Sequence, residues 1–273
     1  MGAAADQRAP DLSSASLEEL MNIPITSASR KEQRAMDVAA AVYVITRDDI
    51  RQSGLLSVPE ILRLAPGVQV ARIDGNKWAI AVRGFNSRWS NKLLVMIDGR
   101  TVYTRLEGGV AWDVVTPPLE DIERIEIVRG PGGSVWGANA VDGVINILTR
   151  AATETQGTRV RVTGGTPGAA DFLVEYGGHS DALAFRGAVQ GSRRGDSELP
   201  DPTIPGGDPV RDVSGHFRAD WTKARDTVTL QGDMQGGSSG TRLPIGIGPI
   251  PPAGGWPAIT WNATRQNANV LAR

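Results

Sequence analysis

Between Ala79 and Arg150 the chain alternates short apolar runs with glycine-rich turns, and this stretch restricts its possible folds more than any other. Leu93 to Ile97 is a continuous apolar run, the pattern of a strand buried on both faces. Asp98-Gly99 follows and Arg100 to Tyr103 resumes an extended pattern, so the spacing predicts a hairpin with a two-residue link. Past Pro117-Pro118, the segment Glu123 to Val128 sets Ile125 and Ile127 on one face and Arg124 and Glu126 on the other. Gly130, Gly132, Gly133, Gly137 and Gly143 then crowd one turn before a strand over Val144 to Leu148. Such density implies backbone conformations or close approaches that a side chain would forbid.

Upstream, Val38 to Ile45 reads as a strand. Thr46-Arg47-Asp48-Asp49 caps a helix that Gly54 ends. Ser57-Val58-Pro59-Glu60 caps a second helix, with Ile61, Leu62 and Leu64 as its apolar side and Pro66-Gly67 as its stop. Val68 to Arg72 and Ala79 to Arg83 flank a turn at Asp74-Gly75-Asn76. Ser16-Leu17-Glu18-Glu19 is a further capping box, opening a short helix to about Met21 that Pro24 stops. The acid pairs here and at Asp48-Asp49 sit in first helical turns, where they serve as caps rather than catalysts.

From about Gly157 the period becomes two. Val160 and Val162 oppose Arg159 and Arg161; Phe172, Val174 and Tyr176 oppose Asp171 and Glu175; Leu183, Phe185 and Val189 oppose Arg186 and Gln190. Phe217, Ala219 and Trp221 then oppose His216, Arg218 and Asp220, Val228 and Leu230 oppose Thr227, Thr229 and Gln231, and a sixth pattern begins near Asn267. A transmembrane barrel has this signature, and a soluble sandwich shares it. The links over 177–182 and 223–226 are short, whereas 192–213 and 236–266 are long and rich in Gly and Pro, which suits a barrel with short turns at one end, although the link over 164–170, at the other end, is short as well.

Composition narrows function by exclusion. A net charge of −1 offers no global field for nucleic acid, and no basic run carries interleaved aromatics. With no cysteine and only His179 and His216, thiolate metal sites, disulfides and most histidine metal patterns are out. No apolar run is long enough for a membrane helix, which says nothing against a barrel. Ala3-Ala4-Ala5 is either the tail of a cleaved leader or an ordinary terminus. The acids Asp196, Asp201, Asp208 and Asp212 lack the spacing of a metal loop.

AVRGFNSRWSNKLLVMIDGRTVY followed by LEDIERIEIVRGPGGSVWGANAVDGVINILTR resembles the plug domain of TonB-dependent outer-membrane receptors of Gram-negative bacteria, over roughly residues 21–150. The resemblance implies an α+β plug, a small mixed sheet with short helices, followed by antiparallel strands of a transmembrane β-barrel that is incomplete in this chain. The expected divisions are an N-terminal segment to residue 30, a plug over 31–150 and wall strands over 151–273. Plugged transporters use about 22 strands, so about six strands amount to the first quarter of a wall, and the chain is expected to be a fragment.

The resemblance also implies partners and sites. A short extended segment before the plug pairs with the periplasmic protein TonB, and Ile23, Pro24, Ile25, Thr26 and Ser27 hold that position; the alternative is a linker. Apical loops, here Ile73 to Trp78, Phe85 to Asn91 and Thr104 to Trp112, floor the ligand cavity. Candidate ligand residues are Arg72, Asn76, Trp78, Phe85, Arg88, Trp89, Arg105 and Trp112, since rings and guanidinium groups suit a large, partly planar, anionic ligand; some of the tryptophans instead pack plug against wall. Arg83, Arg124 and Arg129 are candidates for plug–barrel contacts, with a purely structural role as the alternative. The implied function is import of a ferric siderophore or similar scarce solute across the outer membrane, driven through TonB by the inner-membrane proton gradient. No enzyme activity, cofactor, metal site or nucleic acid is expected, and the protein is expected to be a monomer in outer-membrane lipid. Two rivals remain: a surface receptor for signalling or docking, and a soluble plug-like binding module.

Overall fold

The computed structural model describes residues 24–25, 33–34, 41–104, 108–115, 117–166, 168–198, 206–224, 226–244 and 258–273. The expected helix opening at Ser16 and the first three residues of the strand expected over Val38 to Ile45 lie outside them. β1 (Pro24–Ile25) pairs antiparallel with β2 (Gln33–Arg34). β3 (Ala41–Thr46) runs directly into α1 (Arg47–Ser53). The Thr46 hydroxyl accepts from the Asp49 N–H, and the Asp49 carboxylate accepts from the Thr46 N–H at 2.8 Å, a complete capping box. Gly54 ends the helix in the left-handed conformation. α2 (Val58–Ile61) continues as a tighter turn through Leu64.

The rest of the plug comprises β4 (Val68–Arg72), β5 (Trp78–Val82), β6 (Leu93–Ile97), β7 (Arg100–Thr101), β8 (Tyr103–Thr104), β9 (Gly109–Val110), β10 (Ile122–Arg129), α3 (Gly133–Trp136) and β11 (Gly143–Thr149). Its main sheet has the order β3-β10-β11-β6-β7, and only the β11–β6 pair is parallel. The β6–β7 link is the expected Asp98-Gly99, with φ of 50° and 80°, as a primed turn requires. One face of the sheet receives Ile50, Val58, Ile61 and Leu62 against Ile125, Ile127, Ile145 and Ile147, all buried. The other packs Leu94, Met96, Val128, Ala140 and Val144 under Val42 and Trp136.

Glu126, on the face of β10 opposite Ile125 and Ile127, is fully buried with Arg124 Nε at 2.9 Å. One expectation needs revising. The glycine cluster holds the one-turn helix α3, which glycine propensity hides. Gly143 explains part of that cluster, since a Cβ there would lie 2.7 Å from the Val128 carbonyl oxygen.

The wall strands are β12 (Gly157–Gly165), β13 (Ala169–Ser180), β14 (Leu183–Arg194), β15 (Val210–Lys223), β16 (Asp226–Pro244) and β17 (Ala258–Ala272), antiparallel and in chain order, and the sheet does not close. Val162, Phe172, Val174, Tyr176, Phe217 and Trp221 stand on its outer face, exposed. Arg186, Arg218, Asp220 and Gln235 point inward and are buried. Aromatic rings lie over glycines of the next strand: Phe172 over Gly191, Phe185 over Gly178 and Phe217 over Gly232, where an added Cβ would sit 2.3, 2.8 and 2.5 Å from ring carbons. The long link expected over 236–266 is much shorter. β16 runs 19 residues and β17 runs 15, paired continuously from Leu230↔Ala272 to Pro244↔Ala258. Gly236 to Gly240 reads as loop because it lacks apolar alternation, yet a ladder needs only backbone partners.

Candidate functional site: the plug loops and their seam with the wall

The plug meets the wall through charged side chains contributed from both sides. At the end away from the short turns, the β4–β5 loop reaches the wall. Lys77 Nζ lies 2.6 Å from Asp74 Oδ2 and 2.7 Å from Thr241 Oγ1. Gly75 fits there because any Cβ would collide with the Asp208 carbonyl oxygen, 2.1 Å away. Arg265 on β17 donates to Asp113 of the plug and, at 2.7 Å, to Asp212 of β15. With its amide oriented to satisfy both groups, Asn76 also accepts from Arg265.

Further along, Arg100 Nη2 is 3.0 Å from Asp233, Gln231 donates to Asp98 at 2.9 Å and Arg218 donates to the Thr149 hydroxyl at 3.0 Å. Arg161 pairs with Glu120, Arg186 lies 3.3 Å from Asp121, and the Ala152 N–H donates to Asp220 at 2.7 Å. A cavity lies within this seam, its lining divided between charged groups such as Asp98, Arg100, Asp121 and Arg186 and apolar ones such as Val115 and Leu271. It is the setting in which water can satisfy a buried atom such as Gln231 Oε1, which meets no partner among the described residues.

The proposed ligand residues separate into three groups. Phe85, Arg88 and Trp89 share one loop: Phe85 is 69% exposed with Lys92 Nζ 3.3 Å from its ring centre, and the Arg88 guanidinium is 4.4 Å from the Trp89 ring. That loop packs on the β8–β9 hairpin, where a Cβ on Gly109 would lie 2.8 Å from Trp89 Cα. Arg83, Gly84 and Phe85 all have positive φ, of 61°, 100° and 55°, a run that non-glycine residues adopt only when the surroundings hold them there. Arg72 and Asn76 instead tie the neighbouring loop. Arg72 donates to the carbonyls of Asp74 and Gly75 at 3.0 and 2.9 Å, and Asn76 faces Arg265. Trp78 and Trp112, each 4% exposed, belong to the plug core. Arg105 lies outside the described residues.

Arg83, Arg124 and Arg129 make their contacts among the described residues within the plug. Arg124 holds Glu126, Arg129 donates to the Pro66 carbonyl at 3.0 Å, and Arg83 lies along Gly130. Plug groups that touch the described wall include Lys77, Asn76, Asp98, Arg100, Asp113, Glu120, Asp121, Thr149 and the Arg150 carbonyl. Sequence reasoning missed them because the partners lie far apart, 133 residues for Arg100–Asp233 and 164 for Lys77–Thr241. Half of the signal was present, in the inward parity of charged residues on the wall strands.

Residues 34–144 match the family model described as the TonB-dependent receptor plug domain. The vitamin B12 transporter BtuB of Vibrio cholerae is 38% identical over 136 residues, covering 50% of this chain and 22% of the relative. That of Photobacterium profundum is 32% identical over 231 residues, covering 81% of this chain and 36% of the relative. The chain belongs to the TonB-dependent outer-membrane receptors. An iron-regulated outer membrane virulence protein of Vibrio cholerae is 30% identical over 64% of this receptor chain and 28% of its own length. The chain thus spans between about a fifth and just over a third of these curated relatives. The fold is shared with the outer-membrane ferripyoverdine receptor of Pseudomonas aeruginosa, at 17% identity and a TM-score of 0.65 over 90% of this chain and 34% of that one. It is shared also with the ferric-catecholate import receptor Fiu of E. coli K12, at 20% identity and 0.61 over 79% and 30%. The receptor is an outer-membrane protein of a family without enzymes. The long β14–β15 and β16–β17 links mark the external end, where the Lys77 and Arg265 contacts lie, although the β12–β13 link at that end is short.

Asp121 gives the receptor's seam a pH dependence. Burial, with only 1% of the residue exposed, raises its carboxyl to about 7, helped by a hydrogen bond to Glu175 and opposed by Arg186. Between about pH 4 and 7 the folded state holds this proton and the unfolded chain does not, so stability is expected to fall as pH rises through that window. Urea unfolding of the full-length receptor at pH 5 and pH 8 should show the loss, and Asp121→Asn should flatten it; a slope that survives the substitution assigns it elsewhere.

Proposed function

We propose that the full receptor is a TonB-dependent importer of a large, scarce solute, of the siderophore or vitamin B12 class. The observation that carries this reading is a ring-and-cation surface, the exposed Phe85 with the half-buried Lys92, Arg88 and Trp89, held on a strained backbone and seated on the β8–β9 hairpin. Such a surface suits a bulky ligand with anionic edges. The names of the relatives support both ligand classes, since vitamin B12 transporters head the sequence likenesses and siderophore receptors the structural ones.

In this reading Phe85, Arg88, Trp89 and Arg105 contact ligand, while Arg72, Asn76, Trp78 and Trp112 support the surface from beneath and beside it. Residues 23–27 form the coupling segment for TonB, ahead of a plug over 31–150 and a wall from 151 onward. Arg83, Arg124 and Arg129 brace the plug. Ligand must bind the two states of the coupling segment unequally to change its exposure. The test is titration of purified full-length receptor with a ferric-siderophore panel and with vitamin B12, followed by tryptophan fluorescence. One class is expected to bind, and Phe85→Ala with Arg88→Ala to weaken it about tenfold or more. If no member binds, or if the double variant binds unchanged, the reading fails.

A further inference from the structure

On the outer face of the wall two arginines stand side by side with no counter-charge among the described residues. Arg193 on β14 and Arg211 on β15 are direct register partners, and both are exposed. Their parity is that of Val189, Val213 and Phe217, so both project outward. Neither has an ion pair among the described residues, whereas Arg159, Arg161, Arg186, Arg218 and Arg265 point inward and meet carboxylates. Like charges directly opposite on a ladder repel, so an anion between them would relieve the pair. Arg211 is also directly across from Ser238, and Ser238 from Thr264, which sets two hydroxyl donors in the same row.

One row nearer the periplasm the surface turns apolar. Phe172, Gly191, Val213 and Gly236 follow across the strands; the Phe172 ring covers Gly191, but a Cβ on Gly236 would meet nothing within 4 Å. The result is a trough of about 720 Å³ running under both arginines, with Val162 and Phe172 along one side and Thr264 at the other. Met234 and Val189, both exposed, continue it downward. From Val213 to Trp221 the apolar band of β15 covers eight residue steps, roughly 20 Å after a strand tilt of ~40°. The arginine row therefore stands at the external edge of that band, at headgroup level.

We propose that this face holds a phosphate-bearing lipid of the external leaflet, its phosphate between Arg193 and Arg211 and an acyl chain in the notch at Gly236. Guanidinium groups recognise phosphate by paired hydrogen bonds, and the trough commits the ligand to an amphiphile rather than a free anion. The pair lies on the opposite face of the sheet from the plug seam, so the site is independent of solute import.

Native mass spectrometry of the full-length receptor in detergent tests this, with dioleoyl phosphatidic acid, dioleoylglycerol and inorganic phosphate as probes. Phosphatidic acid alone is expected to form a retained adduct. R193Q/R211Q should weaken it about tenfold or more, and Gly236→Leu, which fills open space, should weaken it severalfold. Lys223→Gln at the opposite rim should leave it unchanged. An adduct that persists in R193Q/R211Q, equal retention of dioleoylglycerol or inorganic phosphate, or no phosphatidic acid adduct would each overturn the proposal.

Discussion

Deletion of residues 23–27 from the full-length receptor is expected to abolish uptake while leaving ligand affinity within about twofold, because strand addition transmits force and not recognition. Pro24–Ile25 is already extended and already in a ladder, with Gln33–Arg34 as its partner. Two residues of ladder are marginal on their own in water. Pro24–Ile25 is thus presented in strand conformation at little cost to release. Since the pairing uses backbone groups, side-chain identity should matter little and the N–H groups should matter much. Ile25→Ala is expected to retain most uptake. Ile25→Pro, which removes the amide hydrogen, is expected to behave like the deletion. Uptake by energised cells, with binding measured on the same variants, separates these outcomes. If Ile25→Ala is as damaging as Ile25→Pro, side-chain recognition replaces backbone pairing; if the deletion is silent, residues 23–27 are only a linker.

Elements whose cause is local were legible in the sequence. The α1 cap at Thr46, the left-handed stop at Gly54 and the Asp98-Gly99 turn rest on residues within three or four positions of each other. The two-faced wall strands were equally plain, because parity along a strand is written in consecutive residues. What escaped has a distant cause. Alternation sets Glu126 opposite Ile125 and Ile127, but its burial comes from packing on that face of the sheet, where Met96 and Val128 are buried as well. Trp78 and Trp112 read as ligand-facing rings, yet burial against Val110, Val115 and Ile80 claims both. Gly236 to Gly240 reads as loop because a ladder leaves no trace in residues that need no apolar face. In the wall it is the paired register, not either strand alone, that brings Arg193 beside Arg211.

Asp98 is the residue where local and distant causes meet, and Asp98→Ala is expected to cost the plug about 3–5 kcal/mol. Its carboxylate accepts from the Thr149 N–H at 2.9 Å, the Thr149 hydroxyl at 2.7 Å and Gln231 at 2.9 Å. Its own N–H donates to the Ile147 carbonyl at 2.9 Å, and its carbonyl accepts from Arg273 at 3.2 Å. One buried side chain therefore closes the β6–β7 hairpin, ties off the end of β11 and joins both to β16. Alanine removes the acceptor from three donors and must also hold a φ of 50°, a conformation that costs a residue with a Cβ roughly 1 kcal/mol or more. Glycine would release that backbone strain but leave the same donors unmet, and asparagine would keep the turn and a single acceptor oxygen. The expected order of damage is therefore alanine, then glycine, then asparagine, with asparagine losing about 1–2 kcal/mol. Denaturant midpoints of the full-length receptor, read from tryptophan fluorescence, give that order directly. If glycine proves harmless while alanine is severe, the turn is all that Asp98 supplies; if asparagine equals alanine, the negative charge itself holds the seam.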